Sequence, residues 1–148
     1  AFVFFTAAGD LAYKQIFPAL QSFTQRGLLD MPIIGVAKSG WGVEQLRERA
    51  RASLVEHGGV DEAAFARLVE RLQYVDGDYR EAATYEQLRT ALGGAARPLH
   101  YLAIPPSLFE TVVQGLARAG RRGARDRLEQ EARNLVDAIA ADSKATRQ

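Results

Sequence analysis

The chain opens on Ala1 to Phe5, five residues with no polar side chain and no alternation, and then changes spacing at Thr6 to Gly9. An unbroken apolar run of that kind predicts a strand covered on both faces, as in a parallel sheet. From Leu11 to Arg26 the residues Leu11, Ile16, Phe17, Leu20 and Phe23 fall at mostly helical spacing, so a helix is predicted there. Pro18 should kink it, and Gly27 is placed to end it. Pro32 precedes a second continuous apolar strand, Ile33 to Ala37. Val43, Leu46, Ala50 and Leu54 then make one stripe of a second helix, which Gly58-Gly59 stops.

Asp61 can cap a third helix through Phe65, Leu68 and Val69, leading into a third strand over Leu72 to Val75. Thr84-Tyr-Glu-Gln87 reads as a capping box opening a short helix to Leu92. Leu99 to Ile104 form a fourth strand. Pro105-Pro106 cannot continue it, because neither residue has an N–H to donate. Ser107-Leu-Phe-Glu110 is a second capping box, starting a helix through Val112, Val113 and Leu116 that is expected to end near Gly120. Beyond it, Arg125 to Ala141 reads as a charged amphipathic helix with Leu128, Leu135, Val136 and Ile139 apolar, followed by a polar tail to Gln148.

Strands that alternate with helical segments predict an α/β fold, with a mostly parallel sheet and helices on both faces. A length of 148 residues suits one domain. The balance of 19 basic and 18 acidic residues argues against a nucleic-acid partner, which calls for a basic excess on one face. No apolar run is long enough for a membrane-spanning helix, so no membrane partner is expected. The chain has no cysteine, which removes thiol nucleophiles and disulfides and fits a cytoplasmic location. It starts inside a strand without an initiator Met, and a trimmed N-terminus is the expectation.

Candidate chemistry lies where strands end. In a parallel α/β sheet, ligands bind beyond the carboxyl ends of the strands, at the point where strand order reverses. At Thr6 to Leu11 the chain turns from strand to helix, and the first N–H groups of that helix have no carbonyl before them to bind. An anion can sit there, although with one glycine in Thr6-Ala-Ala-Gly9 a plain strand-to-helix turn fits the residues at least as well. After the second strand comes Lys38-Ser39. A carboxylate at this place accepts from a ribose hydroxyl, whereas a basic side chain accommodates an added phosphate. A solvated loop lysine is the plainer reading of Lys38, and Trp41 reads as a packing residue. His57 and His100 have no suitably spaced partner for a triad or a metal site. Arg118, Arg121, Arg122, Arg125 and Arg127 read as a solvated face with Asp126, Glu129 and Glu131 among them.

Phe4-Phe-Thr-Ala-Ala-Gly-Asp-Leu-Ala12 resembles the Gly-x-x-Gly-Asp-Leu-Ala motif of the glucose-6-phosphate dehydrogenase family, and a helix bearing Lys14 and Pro18 follows as it does there. Ile33 to Trp41, Tyr74-Val-Asp-Gly-Asp-Tyr79 and Tyr101-Leu-Ala-Ile-Pro-Pro-Ser-Leu-Phe109 resemble the family's later strands and its Pro-Pro turn, in the same order. The resemblance covers roughly residues 1–120. It implies a Rossmann-like NADP-binding domain there, incomplete, with 121–148 a charged C-terminal helix and tail that departs from the family.

The resemblance also implies residue roles. Thr6, Ala7, Ala8, Gly9, Asp10 and Leu11 would meet the coenzyme's pyrophosphate, and Lys38 and Ser39 its extra phosphate. Tyr79, Ala103, Pro105 and Phe109 would line the nucleotide, although Tyr79 and Phe109 read equally as core aromatics. Thr6 stands where the family has glycine, and Lys38 where it typically has arginine. The implied parent reaction is hydride transfer from glucose 6-phosphate to NADP, giving 6-phosphogluconolactone and NADPH in the pentose phosphate pathway. The family's fifth strand ending in Glu-Lys-Pro, its sugar-phosphate ligands and its catalytic histidine have no counterpart here. No catalytic residue and no metal ligand is therefore assigned, glucose 6-phosphate is expected only of a full-length parent, and the chain alone is expected to be inactive. The alternative is a non-catalytic nucleotide-binding or interaction module whose C-terminal helix docks on a partner; the same helix could also join copies into an oligomer.

Overall fold

The computed structural model describes residues 1–95 and 97–146. Four strands, β1 (Phe2–Phe5), β2 (Ile33–Ala37), β3 (Leu72–Asp76) and β4 (Leu99–Tyr101), form one sheet in the order β3-β2-β1-β4. Every pairing is parallel: Phe2 lies beside Ile33 on one side and Leu99 on the other, and Ile33 lies beside Leu72. This is the predicted Rossmann-like α/β architecture.

Strand alternation splits the core in two. Phe4, Ile33 and Leu72 face a cluster with Phe17, Leu20, Leu46, Leu54 and Leu68, contributed by α1 (Phe17–Gln25), α2 (Val43–Glu56) and α3 (Glu62–Arg71). Val3, Phe5, Ile34, Val36 and Val75 face the other cluster, with Tyr85, Leu88 and Val112 from α4 (Ala82–Leu92) and α5 (Phe109–Thr146). Both faces of β1 and β2 are thus closed, which is why their sequences show no polar alternation.

Local signals mostly act as predicted. Gly27 adopts φ 69° while Leu28 N–H reaches back to the Phe23 carbonyl at 2.9 Å, closing α1. The Asp61 carboxylate accepts from Ala64 N–H at 3.2 Å and caps α3. A π-helical turn, Ala12–Ile16, precedes α1 and brings the chain to Pro18, so the break expected at the proline is taken up one turn earlier.

Three boundaries differ from the sequence pattern. β4 ends at Tyr101 rather than Ile104, because its partner β1 turns away after Phe5 and leaves nothing to pair with. Thr84 is not a cap: α4 starts at Ala82 behind Glu81, and the buried Thr84 hydroxyl donates to the Asp78 carbonyl at 2.7 Å. Ser107 lies in a 3-10 turn, Pro106–Leu108, and α5 begins at Phe109 and runs unbroken past Gly120 to Thr146. A Cβ on Gly115 would collide with the Tyr85 ring, so this glycine allows a close helix crossing instead of stopping a helix. Ala96 and the tail residues Arg147 and Gln148 lie outside the described residues. From Arg125 to Ala141 the helix is exposed, Leu128, Leu135, Val136 and Ile139 included.

His100, on β4, places its ring 6.3 Å from that of Phe5, and its Nδ1 is shielded without a partner among the described residues. Burial holds its pKa below the ordinary imidazole value. The unfolded chain therefore takes up this proton at a higher pH than the folded one, and stability should fall as pH drops below about 6.5. Melting temperatures compared between about pH 7.5 and 5.5 should show a decrease that His100→Leu largely removes. An equal decrease in both proteins would contradict the assignment.

Candidate functional site

β1 lies between β2 and β4: the chain steps outward from β1 to β2 and β3 and then crosses back to β4, so strand order reverses beside β1, and the carboxyl end of β1 is where such sheets bind ligands. The turn at that end is built around Thr6, whose φ of 60° makes it the one non-glycine in the left-handed region among the described residues. A β-branched side chain in that region is strained, by roughly 1–3 kcal/mol.

Hydrogen bonds hold the turn in place. Thr6 N–H donates to the Tyr79 hydroxyl at 2.7 Å, and that hydroxyl donates to the Val36 carbonyl at 3.1 Å. Ala7 N–H donates to the same carbonyl at 3.1 Å, and Gly9 N–H to the Thr6 carbonyl at 2.9 Å. Ala7 is buried against Gly35, where an added Cβ would lie 2.8 Å from the Ala7 methyl. Three of the backbone donors in the expected pyrophosphate segment are thus spent on the fold.

Others remain. The first helical bond runs from Tyr13 N–H to the Gly9 carbonyl at 3.2 Å, so the N–H groups of Asp10, Leu11 and Ala12 have no preceding helical acceptor. They form the donor edge of the turn. Asp10 and Leu11 are exposed there, and Ala8 is half-buried.

The loop after β2 is organised by β3. Register places Asp76 beside Ala37, and the Asp76 carboxylate accepts from Ser39 N–H at 2.8 Å and Gly40 N–H at 3.0 Å. The Tyr74 hydroxyl donates to the same oxygen at 2.7 Å. These donors, Ser39 N–H foremost, hold the Asp76 carboxyl below the usual carboxylate range, while burial pushes the Tyr74 hydroxyl up. Lys38 Nζ lies 3.1 Å from Asp78 Oδ2, with 72% of its side chain exposed. Reading the loop alone missed both carboxylates, since Asp76 ends the next strand and Asp78 follows it; β3 aligned in parallel beside β2 is the signal that would have found them.

Across the crevice, Ala103 is half-buried and Pro105 exposed after β4, and Phe109 is 43% exposed at the start of α5. Tyr79 is more firmly tied to the scaffold: its ring meets Phe5 edge-on at 5.6 Å, and its hydroxyl bridges the two strand ends. A separate concavity between α4 and α5 is lined by Arg80, Glu86, Gln114, Arg118 and Arg122.

A parallel 3-2-1-4 sheet with a strand–turn–helix anion edge after its central strand and a basic loop after the next defines a Rossmann-like nucleotide-binding domain. Comparison with known proteins narrows this. The model of the family described as "Glucose-6-phosphate dehydrogenase, NAD binding domain" matches residues 3–136, and the chain belongs to that family. Glucose-6-phosphate 1-dehydrogenase 1 of Mycobacterium tuberculosis is 44% identical over 115 residues, covering 78% of this chain and 25% of that protein. The crystal structure of glucose-6-phosphate 1-dehydrogenase from Mycobacterium avium superposes with a TM-score of 0.76 at 42% identity, covering 80% of this chain and 26% of the other. A structure of glucose-6-phosphate dehydrogenase in complex with its substrate glucose-6-phosphate gives a TM-score of 0.68 at 32% identity, over 78% and 26% of the two chains. The chain spans about a quarter of the length of these relatives.

Thr6→Gly should relieve the left-handed strain and clear the methyl group that lies 2.7 Å from where a Gly9 Cβ would be. The greater freedom of glycine in the unfolded chain offsets about 0.4–1 kcal/mol of that gain. Net stabilisation of roughly 0.5–2 kcal/mol is expected in urea unfolding, with tighter dinucleotide binding in calorimetry. Loss of stability together with unchanged affinity would show that the threonine suits this turn.

Proposed function

We propose that this domain binds NADP(H), in preference to NAD(H), as the coenzyme domain of a glucose-6-phosphate dehydrogenase-type oxidoreductase. The observation that carries this reading is the loop after β2, where Lys38 opens toward solvent. The carboxylate nearest the loop backbone, Asp76, is spent inside the loop on Ser39 and Gly40 N–H. No acidic side chain stands between Lys38 and Trp41 to claim a ribose hydroxyl. A 2′-phosphate would meet Lys38 Nζ, with Ser39 beside it giving up its hydroxyl bond to Tyr74, and the pyrophosphate would lie on the N–H groups of Asp10, Leu11 and Ala12.

When bound, the coenzyme would supply the hydride acceptor for oxidation of glucose 6-phosphate. The protein's share at this end is binding and orientation. The sugar-phosphate ligands and catalytic histidine implied by the family resemblance have no counterpart in this sequence, so this reading assigns glucose 6-phosphate to a longer parent and expects no turnover by the domain alone. A cytoplasmic setting fits the relative in Arabidopsis thaliana named "Glucose-6-phosphate 1-dehydrogenase 6, cytoplasmic". Among the described residues no helix is long and apolar enough to cross a membrane. A second reading, an interaction module, is favoured by one observation: the exposed apolar side chains of α5 at Leu128, Leu135, Val136 and Ile139.

The Lys38–Asp78 pair bears on the magnitude. An exposed pair of this kind contributes at most about 1 kcal/mol, so a more highly charged phosphate can displace Asp78. An NADP preference of about tenfold is expected, corresponding to about 1.4 kcal/mol. In calorimetric titration Lys38→Ala should reduce it at least about threefold, and Asp78→Asn, which frees the ammonium, should raise it. Equal affinities for NADP and NAD in the unsubstituted protein would overturn the proposal.

A further inference from the structure

Arg49 stands apart from the other arginines of α2. Arg47 is paired with Glu44 at 2.7 Å and Arg51 with Glu62 at 2.8 Å, whereas among the described residues no carboxylate pairs with Arg49. Its guanidinium carbon lies 4.6 Å from the centre of the Tyr13 ring and 5.8 Å from that of Trp41. Arg49 Nη2 reaches the Gly9 carbonyl at 3.4 Å, and its Nε is shielded from solvent with no acceptor among the described residues. Glu56, the acid nearest Tyr13, is engaged by the Tyr13 hydroxyl instead. A cation is therefore held by aromatic faces between the first turn, at Gly9, and the loop after β2, at Trp41.

We propose that Arg49 is a second phosphate-binding cation of the nucleotide crevice, acting with Lys38 on the phosphate-bearing adenosine end. The assignment rests on the coenzyme reading above, and deepens it by giving the crevice a cation that is already in place. Three features support it. The guanidinium is fixed by stacking, so little side-chain entropy remains to be lost on binding. Among the described residues its one acceptor is a carbonyl at long range, which leaves most of its donors for an anion. Unlike Lys38, it has no carboxylate among the described residues to exchange for the phosphate. Trp41, expected from sequence to be a packing residue, acquires a role as one face of this clamp.

The probes are adenosine 2′,5′-bisphosphate and adenosine 5′-monophosphate, titrated calorimetrically into the unsubstituted protein, Arg49→Gln and Arg49→Lys, with thermal melting to confirm the fold. Arg49→Gln should weaken the bisphosphate by about tenfold and the monophosphate by less than about twofold, since a charge-assisted bond to the extra phosphate is what is lost. Arg49→Lys retains the charge but not the planar fork, and should fall between. The salt dependence of bisphosphate binding should also become shallower in Arg49→Gln.

Equal weakening of both probes would make Arg49 a brace for the turn and overturn the assignment, as would no weakening at all. A preference removed by Lys38→Ala but untouched by Arg49→Gln would overturn it while leaving the coenzyme reading intact. Failure of the unsubstituted protein to bind either probe would overturn both. If Arg49→Gln melts out, Arg49→Lys decides alone: a selective loss of bisphosphate affinity supports the assignment, and its absence contradicts it.

Discussion

β1 must stop being a strand at Thr6. Everything at the carboxyl end of the sheet depends on that reversal, and the Tyr79 hydroxyl holds it by accepting from Thr6 N–H and donating to the Val36 carbonyl. One phenol thus ties the ends of β1 and β2 together from the loop after β3. The reversal ends the pairing of β4 and points the helix start at the crevice. It also places a β-branched residue at φ 60°, an unfavourable conformation sustained by buried packing of Phe5, Ala7 and Tyr79 around it.

Charge is arranged by the same logic of neighbouring strand ends. Asp76 and Asp78 come from the end of β3, yet their effect is felt in the loop after β2: one carboxylate ties down the backbone of Ser39 and Gly40, and the other restrains Lys38. The loop is tied down along its backbone and exposed at its lysine tip. Arg49 adds a cation fixed by aromatic rings on the side nearer the first turn. Two cations, Lys38 and Arg49, thus stand near the strand ends beside the carboxylates Asp76 and Asp78, in a chain whose net charge is +1.

Much of this was legible from residues alone, where the cause is local. Continuous apolar runs marked β1 and β2, Gly27 marked a helix end and Asp61 a helix start, because each effect depends on a few adjacent residues. What was not legible depends on partners far along the chain. Ile104 reads as strand until the departure of β1 is known. Thr84 looks like a cap until its hydroxyl is seen bonded to the Asp78 carbonyl. Gly120 looks like a stop, yet with Gly115 seated on the Tyr85 ring and Gly123 against the Arg89 side chain, a glycine-bearing helix gains enough packing to outweigh its propensity cost of about 1 kcal/mol per residue. Arg49 was hidden for a similar reason: its aromatic neighbours lie on two other segments.

The exposed half of α5 lies away from this logic, since none of its large apolar residues beyond Arg125 enters either core cluster. At the other end of the molecule, the turn after β1 leaves the N–H groups of Asp10, Leu11 and Ala12 without helical acceptors, as the proposed coenzyme's phosphate requires. Amide NMR shifts followed through a titration with NADP test it most directly. The largest changes are expected at Asp10, Leu11 and Ala12, with Ser39 and Gly40 next. Changes centred on Arg80, Glu86, Arg118 and Arg122, in the concavity between α4 and α5, would contradict it.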